Sequence, residues 1–298
     1  MMVKSLYSCE GDVASVEVGG FPVKPIDEAS GVALWGESFY VVNDSGDRPR
    51  FFRTKLDGSD VEEFRFKDWK PADVEDMSIG PCPAPHAGEC LVLADIGDNR
   101  ERRKSISLAF FRLADIPQSR DVADHRKVKP FETRKFEYPD GAHNAEAFSI
   151  LSAEHGVIVT KKQDRPSRQS RAASVYLVEF AKKRLTRVGE WDVPAWVKDQ
   201  GIGGLVTGMS VVRSENGARL RRMLLLTYRD VVELVVDTLP RPWSVESRRV
   251  LKVNPLEQQE AIVYNEKGTG FFYTTEAPLA ALGFKKASIR HVENMTCR

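Results

Sequence analysis

A short strand motif headed by a polar residue recurs five times along this chain, and the recurrence restricts the possible folds more than any other feature. The motif begins at Glu28, Glu75, Glu146, Thr207 and Glu260. A second apolar strand follows each head at a similar distance, and further strand candidates follow without helical periodicity. Units of four antiparallel strands repeated in this way are typical of propeller blades. The irregular spacing of the heads does not fit WD or kelch arrays.

We therefore predict an all-β, five-bladed β-propeller in which residues 1–298 form one domain. The fifth unit lacks its fourth strand, and the strand candidate Ser15–Val18 near the N-terminus can supply it. Pairing the two chain ends closes the ring and removes the exposed edge of an open array. Six blades are the alternative, which requires extra strands hidden within the region Ala114–Tyr138.

The closure also predicts a disulfide. If Ala287–Val292 pairs antiparallel with Val13–Val18, residues whose numbers sum to about 306 face each other, and Cys9 and Cys297 meet this condition. A disulfide between them would lock the ring and would span almost the whole chain.

The other two cysteines, Cys82 and Cys90, flank a loop rich in Pro and Gly that a second disulfide could close. None of the four cysteines has the spacing of a metal site. Disulfides indicate an oxidising compartment, so we expect a secreted or periplasmic protein. The alternative is four unrelated thiols. Met1–Glu10 lacks the long apolar core of a signal peptide, so we expect that segment to be absent from this sequence.

Composition excludes several classes of function. The chain has 44 basic and 43 acidic residues, a formal net charge of +1, which gives no general attraction to nucleic acid. Apolar runs such as Met223–Leu226 are far too short to span a membrane. The serine-hydrolase elbow, the phosphate loop and the dinucleotide fingerprint are absent. We expect a monomer whose partner is a small molecule or a protein at the channel mouth.

The heads of the first strands would converge on the propeller axis, and the ends of the second strands would lie at the same mouth. Converging carboxylates repel one another and lose hydration. A divalent cation would compensate, and oxygen ligands favour Ca²⁺ first and Mg²⁺ second. The metal-ligand candidates are Glu28, Glu75, Asp95, Glu146 and Glu260. The channel or ligand-binding candidates are Asn43, Asp44, Asp76, Asp98, Asn99, Asn144, Lys161, Thr207, Tyr228 and Glu276.

The polar ring also fits arrangements that need no cation. The carboxyls could be partly protonated, or could pair with Lys161, Arg100 and Arg229. Each Glu could instead bind backbone amides of the next blade and act as a structural latch. The segment Asp95–Asn99 fits either a metal contact or an Asx turn, and it lacks the full EF-hand pattern. His143, next to the third head, is the candidate catalytic base, with a plain loop residue as the alternative.

Several motifs together resemble a group of poorly characterised bacterial secreted β-propeller proteins, over most of the chain. They are Asn43–Asp47, Asp73–Met77, Ala94–Asn99, Asn144–Ala147 and Gln259–Ala261. This resemblance implies a propeller without an established activity. The chain is more distantly similar to calcium-dependent propeller hydrolases of the gluconolactonase, paraoxonase and phytase types, at the level of fold. Their ligand sets do not transfer to this sequence position by position.

These observations predict an acidic channel that binds a divalent cation in a protein that binds a ligand or a partner. The alternative is a metal-dependent hydrolase of a small ester, lactone or phosphoester. In that case the cation would polarise the carbonyl or phosphoryl oxygen, and a carboxylate or His143 would move the proton.

Overall fold

Five antiparallel sheets surround a central channel, so that the chain forms a five-bladed β-propeller. A computed structural model describes residues 11–118, 127–164, 166–212, 219–238, 242–276 and 286–295. The predicted blade number is therefore confirmed. Within these residues the link after blade 2's third strand holds only a short 3₁₀ turn, Leu113–Asp115, and a two-residue strand, so the extra strands that six blades require are not there.

The strands follow one another in the order that the repeats predict. They are β1 (Gly11–Asp12), β2 (Val16–Pro22), β3 (Ala29–Trp35), β4 (Ser38–Asn43), β5 (Arg50–Lys55), β6 (Glu62–Phe66), β7 (Val74–Pro81), β8 (Glu89–Asp95), β9 (Ile106–Arg112), β10 (Lys127–Val128), β11 (Glu132–Phe136), β12 (Ala145–Ile150), β13 (His155–Thr160), β14 (Ala173–Glu179), β15 (Arg184–Trp191), β16 (Val206–Val211), β17 (Leu220–Thr227), β18 (Val231–Asp237), β19 (Ser244–Lys252), β20 (Gln259–Tyr264), β21 (Phe271–Thr275) and β22 (Lys286–Val292). A four-residue helix, α1 (Val193–Trp196), follows β15.

Each blade runs outwards from the channel in chain order. Blade 1 contains β3 to β6, blade 2 contains β7, β8, β9 and β11, and blade 3 contains β12 to β15. Blade 4 contains β16 to β19, and blade 5 contains β20 to β22 with β2 outermost. The short strands β10 and β1 add in parallel to the outer edges of blades 1 and 4. The inner strands β3, β7, β12, β16 and β20 contact one another in a closed circle around the axis.

The ring closes through the chain ends, as predicted. Strand β2 pairs antiparallel with β22, with Val16 opposite His291 and Pro22 opposite Lys286. The register differs from the predicted one by one to two residues, and a bulge between Glu17 and Gly19 accounts for one residue of this offset. The predicted pair Cys9 and Cys297 lies outside the described residues.

Apolar side chains fill the spaces between blades rather than one central core. Five clusters of buried residues lie at the five interfaces between neighbouring blades. Phe110 of blade 2, for example, packs with Phe148 and Tyr176 of blade 3. Because neighbouring blades cover both faces of each sheet, middle strands such as β8 are apolar on both faces instead of alternating.

A disulfide joins Cys82 to Cys90 and closes the loop between β7 and β8, as predicted, with 4.9 Å between the two Cα atoms. Both cysteines are buried between blades 2 and 3. Among the described residues there is no helix with the length and apolar character needed to cross a membrane.

Every inner strand begins with a β-bulge at the same position. The bulged residues are Ser30, Glu75, Glu146, Thr207 and Glu260. A bulge turns a side chain out of the regular alternation, and here it directs the head of each strand towards the axis. The equivalent of Glu75 in blade 1 is therefore Ser30, so the alignment of the first repeat on Glu28 was wrong by two residues. Glu28 corresponds instead to Asp73, two residues before the bulge.

Candidate functional site

The strand heads enclose a cavity of about 200 Å³ at one mouth of the channel, which we call the mouth cavity. Its lining is polar, and the described residues contribute six carboxylic acids and one lysine. The lining residues are Glu28, Ser30, Asp44, Glu75, Asn99, Glu146, Lys161, Tyr228, Gln258, Glu260 and Glu276. Most of these were predicted from the repeat, because heads and second-strand ends fall at the same edge of every blade.

A repeated backbone hydrogen bond fixes the second-strand ends beside the heads. The amides of Asp44 and Glu276 donate to the carbonyls of Glu28 and Gln258, each at 2.8 to 2.9 Å. The Lys161 amide donates equivalently to Asn144 at 3.0 Å. These bonds hold the ends of the first two strands together in blades 1, 3 and 5, and side chains from both strands of these blades reach the cavity.

Three carboxylates from blades 1 and 2 form the tightest group, the acidic triad of Asp44, Asp73 and Glu75. One oxygen from each lies within 4.8 Å of the others. Two oxygens that both bind one Ca²⁺ at about 2.4 Å are at most about 4.8 Å apart, so this spacing suits a shared cation. Asp73 Oδ1 is buried without a hydrogen-bond partner among the described residues.

The triad depends on the close approach of a glycine backbone. A Cβ atom on Gly97 would overlap both Glu75 Oε1 and Asp73 Oδ2. The Gly97 amide donates to the Asp73 carbonyl at 3.1 Å. A larger residue here would displace two of the three carboxylates.

Lys161 supplies the positive charge of the mouth cavity. Its Nζ donates to Glu146 Oε2 at 2.5 Å and to the Tyr228 hydroxyl at 2.7 Å. The ammonium also lies 4.7 Å from the centre of the Tyr228 ring. Burial opposes the charge of Lys161, but Glu146 and Glu260 outweigh this effect and raise the pKa of its ammonium group.

The carboxyls of the mouth cavity retain protons more strongly than ordinary carboxyls. Burial raises the pKa of Glu75 well above its usual range, and the neighbouring Glu146 carboxylate adds to the effect. Burial also raises the pKa of Glu260, although Lys161 opposes the shift. Burial and the Asp44 carboxylate raise the pKa of Asp73 to about 6 and that of Glu276 to about 7. The six carboxyl groups of the described lining outnumber the single ammonium group of Lys161, so repulsion between carboxylates adds to the effect of burial.

Asp95 and Asp98 lie beside the mouth cavity rather than in its lining. Asp95 Oδ1 accepts from the Asp73 amide at 2.9 Å and pairs with Arg103 at 2.9 Å. Asp98 Oδ2 accepts from the Arg103 amide at 2.7 Å, and the Asp98 amide donates to Asn144 Oδ1 at 2.7 Å. These two carboxylates therefore hold the loop that positions Asp73 and Gly97.

Other predicted channel residues make structural hydrogen bonds and do not line the cavity. Asn43 Nδ2 donates to Asp27 and Asp47 at 3.0 Å each, outside the cavity lining. The Thr207 hydroxyl donates to the Gln259 carbonyl of the next blade at 2.9 Å. Asp76 lies deeper, between the inner strands, where Oδ2 accepts from the Phe148 amide at 2.8 Å. Thr207 and Asp76 therefore bond across neighbouring blades, whereas the latch was predicted for the Glu residues that head the strands.

His143 belongs to a different cluster, outside the cavity lining. Its Nε2 lies 3.1 Å from Asp140 Oδ1, and its ring packs against Tyr138 and Tyr176. The Tyr176 hydroxyl donates to the same Asp140 carboxylate at 2.8 Å. The structure therefore places this candidate base between blades 2 and 3, apart from the acidic triad.

Three residues of the site were not among the sequence candidates, namely Ser30, Asp73 and Gln258. Asp73 had a usable signal, because it precedes Glu75 by two residues in the most acidic head. Ser30 and Gln258 carry no charge, and only the position of the bulge identifies them.

Solved structures with a similar fold are propellers of low sequence identity. The luciferin-regenerating enzyme aligns with a TM-score of 0.50 at 11% identity, covering 95% of this chain and 96% of that chain. A putative oxidoreductase (glucose dehydrogenase) from Thermus thermophilus aligns at 0.47 and 8% identity, covering 94% and 99%. PQQ-bound aldose sugar dehydrogenase from Streptomyces coelicolor aligns at 0.45 and 9% identity, covering 94% and 99%. No protein-family model and no curated protein matches the chain. Similarity at this level is of fold alone.

Proposed function

We propose that the mouth cavity binds one divalent cation, Ca²⁺ before Mg²⁺, at Asp44, Asp73 and Glu75, and that the loaded mouth binds a small molecule or a protein. The observation that carries this proposal is the spacing of the triad, whose three oxygens lie within 4.8 Å of one another. The buried, unpartnered Asp73 Oδ1 and the raised pKa values of Asp73 and Glu75 support it.

The chemistry of the triad also indicates what the partner must offer. Ca²⁺ takes six to eight oxygen ligands, whereas three carboxylates supply only part of that number. Asp44 and Glu75 also line the mouth cavity, whose volume of about 200 Å³ admits water and the oxygen atoms of a small ligand, so further ligands could reach a triad-bound cation from there. A partner is therefore expected to present carboxylate, phosphate, hydroxyl or carbonyl oxygens at the mouth.

Calorimetric titration of chelator-treated protein with Ca²⁺ and Mg²⁺ near neutral pH tests the proposal. We expect one Ca²⁺ per chain and weaker binding of Mg²⁺. Asp73→Asn and Glu75→Gln should each weaken Ca²⁺ binding at least tenfold, because each removes a charged ligand. Glu37→Gln is the control, since Glu37 is exposed in the turn between β3 and β4, at the far end of blade 1. Absence of Ca²⁺ binding, or full affinity in the triad variants, would exclude the site.

Gly97→Ala offers a second test that leaves every carboxylate in place. The added methyl group would clash with Glu75 and Asp73, so we expect Ca²⁺ affinity to fall about tenfold or more while the circular dichroism spectrum is retained. The matched control is Gly189→Ala, where a Cβ would meet its nearest atom at 3.6 Å, an ordinary contact. Equal affinities in the two variants would show that the triad does not hold the cation.

A metal-dependent hydrolase of a small ester, lactone or phosphoester is the second candidate function. Glu276 favours it, because a carboxyl with a pKa of about 7 can accept and donate protons near neutral pH. Turnover of such substrates by the Ca²⁺-loaded protein, lost in Glu276→Gln without loss of Ca²⁺ binding, would support this activity. A loaded protein that turns over none of the three substrate classes would favour the binding role.

We also propose an oxidising compartment, outside the cell or in the periplasm. The Cys82–Cys90 disulfide supports this location, because disulfides persist mainly in oxidising surroundings.

A further inference from the structure

Lys161 lies among carboxylates that resemble a second cation site. It follows β13, and its side chain enters the mouth cavity from blade 3. Glu146 heads the neighbouring inner strand of the same blade, and Tyr228 follows β17 of blade 4. The lysine side chain is 15% exposed and that of Glu146 is 7% exposed, so this pair is largely removed from water.

Neighbouring carboxylates keep the ammonium group of Lys161 charged in this position. Glu146 and Glu260 are the two carboxylates that most favour the charged form of Lys161. Lys161 in turn counteracts the rise in pKa at Glu146, Glu260 and Glu75. The ammonium group of Lys161 therefore favours the ionised form of three strand heads, one each from blades 2, 3 and 5.

We propose that Lys161 is a specificity-determining residue that limits the mouth cavity to one divalent cation. Its Nζ takes the position between Glu146 and Tyr228 that a second cation would otherwise take, which confines the divalent cation to Asp44, Asp73 and Glu75. This inference rests on the proposed cation binding. It also gives a reason for a lysine buried in an acidic cavity, since two divalent cations in one small cavity would repel each other.

The test is the Ca²⁺ stoichiometry of variants, measured by calorimetry and by equilibrium dialysis. Wild-type protein should bind one Ca²⁺ per chain. Lys161→Met keeps most of the length of the side chain and removes the charge, so we expect two Ca²⁺ per chain. The double variant Lys161→Met/Glu146→Gln should return to one, because Glu146 is needed for the second ion. Lys162→Met is the matched control, since Lys162 adjoins Lys161 but does not line the cavity, and it should bind one.

The possible outcomes distinguish the role of Lys161 from the proposed cation binding on which it rests. Wild-type protein that binds no Ca²⁺ would remove both. One Ca²⁺ in wild type and still one in Lys161→Met would overturn the role of Lys161 and leave the triad site standing. Two Ca²⁺ in wild type would also overturn it. If Lys161→Met does not fold, Lys161→Gln decides the question, because its amide can still donate to Glu146 without a charge.

Discussion

Without divalent cations, the protein is expected to become more stable as the pH falls from about 8 to about 5.5, the reverse of ordinary acid destabilisation. Six carboxyls near the channel axis have raised pKa values in the folded protein, and burial is the largest cause for each. They are Asp73, Glu75, Asp76, Glu146, Glu260 and Glu276. Between about pH 6 and pH 8 the folded state therefore binds more protons than the unfolded state, so the free energy of unfolding falls as the pH rises.

The pH window follows from the two carboxyls that titrate within it. Asp73 has a pKa of about 6 and Glu276 of about 7, against ordinary carboxyl values near 4, so their contribution is complete near pH 4 and is lost through pH 6 and 7. Carboxyls whose pKa values are lowered in the folded protein change the free energy of unfolding only at lower pH. Lys182 and Arg184, for instance, outweigh burial and lower the pKa of Glu179 to about 2, so its contribution is lost only below about pH 4.5.

A change of several degrees is expected. One unit of pKa corresponds to about 1.4 kcal/mol, and Asp73 and Glu276 are partly exposed, so solvent screening reduces their share. A net effect of about 2 kcal/mol would raise the melting temperature by roughly 4–8 °C between pH 8 and pH 5.5. Differential scanning calorimetry in chelator across this range measures it.

Saturating Ca²⁺ should remove or reverse this dependence, because the cation binds the ionised triad and competes with protons. The variant Asp73→Asn/Glu276→Gln should give a flatter profile in chelator, whereas Glu37→Gln should follow the wild type. A melting temperature that decreases steadily as the pH is lowered across this range in chelator would contradict the raised pKa values. A profile that Ca²⁺ does not alter would argue against the triad as the cation site.

The fold was predictable because a propeller repeats a local pattern that the sequence displays directly. Apolar second strands and polar strand heads recur in all five blades, and the strand missing from blade 5 had to come from the N-terminus. The register of that closure was less accessible, because a bulge near Val18 leaves no signature in the residue types. The same cause explains the misaligned first repeat, where the bulged residue is Ser30 and the more conspicuous acidic residue is Glu28.

The location of the site could be predicted from the sequence, but the exact set of residues that form it could be predicted only in part. Charge and position along each strand identified Asp44, Glu75 and Glu146 as neighbours at one mouth. The sequence could not show that Asp95 would pair with Arg103 instead of lining the cavity. That pairing depends on the conformation of the loop formed by residues 96–105. Nor could it show which carboxylates lie close enough together to share a cation and which face Lys161, because this depends on how the bulge in each inner strand directs the side chain.

Asp76 lies outside the lining of the mouth cavity and has a structural role between the inner strands. It is 2% exposed, and its two oxygens accept from the Met77 amide at 2.7 Å and the Phe148 amide at 2.8 Å. Burial raises its pKa, and the amides of Phe148, Met77 and Met209 oppose the shift. These three amides belong to the inner strands of blades 2, 3 and 4. The Asp76 side chain therefore joins the inner strands of blades 2 and 3 by hydrogen bonds and lies close to that of blade 4.

Asp76→Ala is expected to destabilise the protein more than any substitution in the mouth cavity. Removing the carboxyl group leaves the buried amides of Met77 and Phe148 without their acceptor, at about 1–3 kcal/mol each, so the free energy of unfolding should fall by about 3–5 kcal/mol. Denaturant unfolding followed by circular dichroism measures the loss. Asp76→Asn is the matched variant, because it keeps the shape and one acceptor oxygen, and it should lose roughly half as much.

The contrast with Glu75→Gln distinguishes a latch from a ligand. Glu75 is the neighbour of Asp76 and is similarly buried. Within the described part of the chain its carboxylate accepts a hydrogen bond only from the Ser30 hydroxyl, at 3.1 Å, and the carboxylates of Glu146, Asp44 and Asp73 raise its pKa. Neutralising it removes repulsion, so Glu75→Gln should maintain or raise stability in chelator and should lose the gain that Ca²⁺ provides. Asp76→Ala should lose stability with and without Ca²⁺. If both variants lost stability equally in chelator, the strand heads would be latches throughout, and the cation would have to be sought elsewhere.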